Sequence, residues 1–140
     1  METNLATDNK YFRFQVFQGE KVENGFIRKE KSVGMAYLKQ GQSIYTLRLW
    51  TFINERFYLI HNQNDPTKYL VMTREVNKNL TSKGKYFWNI VGNGIVDSRA
   101  GVLKINFDLF EKPVFMNILP ESSAYSISLQ APEEVIDEAA

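Results

Sequence analysis

The chain predicts a small all-β domain, an antiparallel barrel or sandwich of about eight or nine short strands. Three observations predict it. Stretches rich in β-branched and aromatic residues recur along the chain, each bounded by Gly, Asn, Asp or Pro. No segment sustains an apolar i, i+3, i+4 pattern. The 140 residues, 44% hydrophobic and 14% aromatic, suffice for one core and are too few for two.

The expected strands are 11–18, 25–30, 33–39, 43–52, 56–61, 68–74, 85–92, 102–109 and 113–119, within one domain spanning 11–120. Residues 1–10 are polar and aperiodic, which predicts a flexible N-terminus. Alternation is cleanest where Leu103, Ile105, Phe107 and Leu109 share a face against Lys104, Asn106 and Asp108. Lys39-Gln40-Gly41-Gln42 separates two runs at hairpin distance, Asn93-Gly94 suits a type I′ turn, and Asp65-Pro66 marks a longer loop. Glu75 to Ser82 reads as a loop, since Asn77, Asn79, Thr81 and Ser82 are poor helix formers. Residues 121–140 read as an acidic, mostly disordered tail, within which 121–129 suggest a weak edge strand and 131–140 disorder. So many strands, each with one face to bury, fit a closed or partly open barrel or a small sandwich, and closure would also protect strand edges.

Composition narrows the chemistry. Cysteine is absent, which removes disulfides, zinc-thiolate sites and thiol catalysis and fits a reducing compartment. The apolar runs are far shorter than the roughly 20 residues that span a bilayer, and Met1 to Lys10 lacks a signal-peptide layout, so the expectation is a cytoplasmic protein. All 17 Lys and Arg lie between Lys10 and Lys112, whereas five of the 16 acidic residues follow Pro120. Residues 1–120 therefore carry +6 and residues 121–140 carry −5. A basic body with an acidic tail suits a polyanion binder whose tail competes for the basic surface or recruits a protein partner, and equally a tail that only aids solubility.

No catalytic or cofactor motif stands out. His61 is the single histidine, and no Asp/Glu spacing completes a metal-ligand set around it. A nucleophile elbow is missing, and Asp97, Asp108 and Glu111, the carboxylates to test for acid–base work, fall at turns or on a polar strand face. Gly92-Asn93-Gly94 lacks the third glycine and the helix of a dinucleotide loop. Lys83-Gly84-Lys85-Tyr86-Phe87-Trp88 has the basic-Gly-aromatic opening of an RNA-recognition strand, but Lys85 stands where the first aromatic belongs and the helices of that fold are missing. The expectation is a protein that is not an enzyme and needs no cofactor.

What remains is basic residues interleaved with aromatics. In 44–52, Tyr45, Leu47 and Leu49 make one face and leave Arg48 and Trp50 on the other, and Arg56 with Tyr58 and Lys85 with Phe87 repeat the pairing. Single-stranded nucleic acid needs cations along its phosphates and flat rings on which bases stack. Arg48, Arg56, Lys68, Arg74 and Lys85 are the candidate phosphate contacts, and Trp50, Tyr58 and Trp88 the candidate stacking platforms, although Trp88 lies across its strand from Lys85. The competing readings are that these rings are core, or that they form a surface for self-association or for a protein partner, where Tyr, Trp and Arg are also enriched.

Val33-Gly34-Met35-Ala36-Tyr37-Leu38, Tyr45-Thr46-Leu47-Arg48-Leu49, Leu103-Lys104-Ile105-Asn106-Phe107-Asp108 and Pro113-Val114-Phe115-Met116-Asn117-Ile118-Leu119 together resemble a family of small uncharacterised proteins carried on bacterial plasmids and integrative conjugative elements. The resemblance covers about residues 33–119 and leaves Tyr11 to Lys31 and the acidic tail outside it. It implies an all-β, non-enzymatic accessory protein of a bacterial mobile element, in a setting where single-stranded DNA occurs. It assigns no binding residues.

Overall fold

The computed structural model describes residues 10–78, 85–121 and 126–127. They form an all-β domain with strands β1 (Lys10–Lys21), β2 (Ile27–Lys39), β3 (Tyr45–Leu49), β4 (Phe57–His61), β5 (Lys68–Val76), β6 (Tyr86–Asp97), β7 (Val102–Phe107), β8 (Val114–Asn117) and β9 (Ser126–Ile127). Each strand pairs antiparallel with the next from β2 to β8, β8 pairs with β1, and β1 returns to β2, so eight strands close into a barrel. The two-residue β9 adds to β1 at Lys10 and Tyr11. Residues 1–9, 79–84, 122–125 and 128–140 lie outside the described residues, and with them most of the N-terminus and tail predicted to be flexible; Lys10, expected within that N-terminus, instead opens β1.

Period-two alternation decides what fills the barrel. Val16, Leu47, Leu59, Val71 and Ile105 all point inward and are fully buried. Small inward residues, Gly34, Ala36, Gly92 and Gly94, face the large ones, which lets an eight-stranded interior close on side chains without a central channel. At Gly92 an added Cβ would stand 2.2 Å from the Asn106 carbonyl oxygen of β7, so the ladder there admits no side chain.

This corrects the Asn93-Gly94 turn. Both residues lie within β6, paired to β5 on one side and β7 on the other. The reversal comes at Asp97–Gly101, where the Asp97 carboxylate accepts the Ala100 amide at 3.1 Å, the Gly101 amide donates to the Asp97 carbonyl, and Gly101 takes φ +71°. The backbone hydrogen bond from Ala100 and then Lys21 hold the Asp97 carboxyl below the usual range. Gly41, at φ +86°, does close the β2–β3 hairpin where the sequence places it.

Three further boundaries move. The runs 25–30 and 33–39 are one strand, interrupted by bulges that place Val33 and Glu30 as extra residues on β2 opposite β1. β3 stops at Leu49, and Trp50–Phe52 form a 3-10 turn. β7 stops at Phe107, so Leu109 leaves the alternating face and is exposed.

The bulges bend the β1–β2 hairpin onto the outside of the barrel. There Phe17 stacks on Phe115 of β8, with Val102, Ile27 and Ala100 completing a second small cluster. The hairpin tip is fastened to the β6–β7 turn: Arg99 Nε donates to the Asn24 carbonyl at 3.0 Å, and Lys21 reaches Asp97 at 3.4 Å. In the β4–β5 loop His61 Nε2 donates to the Pro66 carbonyl at 2.7 Å, and its ring packs on Tyr69. Asp65 accepts from the hydroxyl and amide of Thr67, which hold its carboxyl below the usual range.

Candidate nucleic-acid interface

The register decides which candidates share a surface. Tyr58 of β4 pairs with Met72 of β5, Met72 with Ile90 of β6, Arg74 with Trp88, and Val76 with Tyr86. Directly opposed residues point to the same side of a sheet, so all of these face outward. β6 pairs with β7 only from Gly92 onward, and β5 with β4 only up to Met72. Beyond those points, 73–76 and 86–90 run on as a two-stranded arm whose outer edges have no ladder partner among the described residues. Val91, the bulged residue between the pairs Val71–Gly92 and Met72–Ile90, marks where the arm departs.

A cation–aromatic cluster occupies the outward face of the arm. The Arg74 guanidinium lies 3.9 Å from the ring centre of Tyr86, 4.9 Å from that of Tyr58 and 5.6 Å from that of Trp88. Tyr58 meets Trp88 edge to face at 5.5 Å. Tyr58 is only 3% exposed and so acts as the floor of the cluster, whereas Trp88 keeps 37% of its surface in solvent. The expectation that Tyr58 offers a stacking face is therefore corrected: the ring points outward, but Arg74 and Trp88 pack on it.

The other candidates divide by position. Lys85 immediately precedes β6 at the outer end of the arm, its carbonyl accepting the Asn77 amide at 2.8 Å, and Phe87 faces the side opposite Trp88. Arg56 is exposed in the β3–β4 loop, at the end of the barrel from which the arm projects. Trp50, 51% exposed, lies in the 3-10 turn of that loop instead of on β3. Arg48 points outward as expected, yet one Nη2 donates to the Ile53 carbonyl at 2.8 Å and thereby braces the loop. Lys68 begins β5 at the opposite end and lies 3.8 Å from the Asp65 carboxylate, so the structure does not bring it to the others. Sequence reasoning missed Tyr86, the ring nearest Arg74. Its spacing of two from Trp88 was the available signal.

Among the described residues no three His, Asp or Glu side chains gather as a metal site would require, and no helix is long and apolar enough to cross a membrane. The fold and this face define a class: a closed eight-stranded antiparallel barrel bearing a two-stranded arm with a cation–aromatic face. Compared with protein-family models, curated proteins and solved structures, the chain has no match.

Proposed function

We propose that this protein is a non-catalytic module that binds single-stranded nucleic acid along the outward face of the β5–β6 arm and the adjoining β3–β4 loop. The observation that carries the reading is the Arg74–Tyr86–Trp88 cluster. It places a cation among flat rings on a projecting ribbon, the combination a single strand uses for phosphate contact and base stacking. In this reading Arg56 and Trp50, exposed in the β3–β4 loop, and Lys85, at the outer end of the arm, add further phosphate and stacking contacts. In this reading the protein works in the bacterial cytoplasm beside mobile-element DNA, and its acidic tail competes for the basic surface. The test is fluorescence anisotropy of a labelled single-stranded oligonucleotide titrated at two salt concentrations. Salt-sensitive binding that Trp88→Ala weakens supports the reading, and no binding at low salt removes it.

A second reading rests on a different observation. The β6 edge from Tyr86 to Ile90 carries no charge and lacks a ladder partner among the described residues, and Phe87 and Ile90 are exposed beside it. Such an edge suits strand addition by a protein partner or a second copy.

A further inference from the structure

The barrel mouth beside the arm holds a second candidate site, independent of the cation–aromatic face. The β3–β4 loop, the β7–β8 loop and the point where β6 leaves β7 enclose a groove of about 450 Å³, within the range of small-molecule sites. Its walls are phenyl rings in mutual contact. Phe52 stacks on Phe110 at 5.7 Å, Phe57 meets Phe107 edge to face at 5.0 Å, and Phe107 meets Phe110 at 5.7 Å. Ile90 and Val91 close the side toward the arm.

Among the described residues, two carboxylates, Glu55 and Asp108, are the only charged groups lining this groove, and neither side chain has an ion-pair or hydrogen-bond partner there. Backbone bonds fix both at the rim: the Glu55 amide donates to the Phe52 carbonyl, and the Asp108 amide to the Val91 carbonyl, each at 2.9 Å. Phenyl faces attract cations through their quadrupole, and the two carboxylates add charge of the complementary sign without an opposing Lys or Arg in the lining. An anion would meet repulsion here, and a neutral apolar molecule would use only the walls.

We propose that this mouth binds an organic cation with an apolar body, such as an aryl or alkyl quaternary ammonium, its body against Phe52, Phe57 and Phe110 and its charge toward Glu55 and Asp108. The probe is benzyltrimethylammonium, set against its neutral carbon isostere neopentylbenzene and the anion phenylmethanesulfonate. Each is titrated into the full-length chain while amide NMR shifts are followed. The expected result is saturable binding of the cation, with shifts centred on residues 52–57 and 107–110, about tenfold tighter than the isostere, and no binding of the sulfonate. The doubly substituted Glu55→Gln, Asp108→Asn chain should lose about tenfold for the cation and nothing for the isostere, its exposed substitutions leaving the amide spectrum folded. Equal affinity for cation and isostere, shifts centred elsewhere, or no saturable binding of the cation would each overturn the proposal.

Discussion

The Arg74 guanidinium lies 3.9 Å from the centre of the Tyr86 ring, and Arg74 is the cross-strand partner of Trp88, so cation and rings are held as one unit. A guanidinium already ordered against aromatic faces loses little side-chain freedom on meeting a phosphate, which is an advantage that a free lysine lacks.

From this follows a separation of roles. Arg74→Gln should lower the slope of log affinity against log salt by about 0.7, the share of one phosphate contact on a single strand. Trp88→Ala should cost about 1–3 kcal/mol of binding and leave that slope unchanged. Anisotropy titrations over a salt series read both quantities, and equal slopes for Arg74→Gln and the wild type would remove Arg74 from the phosphate contacts.

The β6 edge from Tyr86 to Ile90, without a ladder partner among the described residues, gives the contrary test. Ile90 is 59% exposed, so Ile90→Lys should change stability by less than about 0.5 kcal/mol while placing a charge beside the edge. Sedimentation velocity is expected to show the same monomer for wild type and variant. A concentration-dependent dimer that Ile90→Lys dissolves would favour the second reading over nucleic-acid binding.

Gly92→Ala should be far more costly than its one added methyl group suggests. The new Cβ would meet a β7 backbone oxygen, which cannot rotate away as a side chain could. A loss of ~3 kcal/mol is expected in urea unfolding. Gly41→Ala has open space around it, and its cost comes from φ +86° alone, about 1 kcal/mol.

Stability should fall at alkaline pH. Burial, and then the neighbouring Tyr69, push the Tyr45 phenol up to about 12 from an ordinary value of 10. The folded state thus favours the neutral phenol. This contribution is complete below pH 10 and is lost as pH rises from 10 toward 12, amounting to about 1 kcal/mol once the water-accessible part of the ring is allowed for. Urea unfolding at pH 8 and pH 11 should show the loss, and Tyr45→Phe should reduce it.

The sequence alone determined the all-β class, the inward set Leu103, Ile105 and Phe107, and the hairpin at Gly41, because alternation and turn chemistry are local properties that neighbours a few residues apart carry in full. Closure of β1 onto both β2 and β8, the run of β6 through Asn93-Gly94, and the bending of the β1–β2 hairpin were decided by tertiary structure. Each depends on backbones distant in sequence approaching closely, as at Gly92 and Asn106, which no local pattern encodes. The candidate site divides in the same way. Composition was enough to single out Arg74, Tyr58 and Trp88, but only the β4–β5–β6 register could gather them around Tyr86, bury Tyr58 beneath them and send Lys68 to the far end, because the facing of a side chain is fixed by the strand it pairs with.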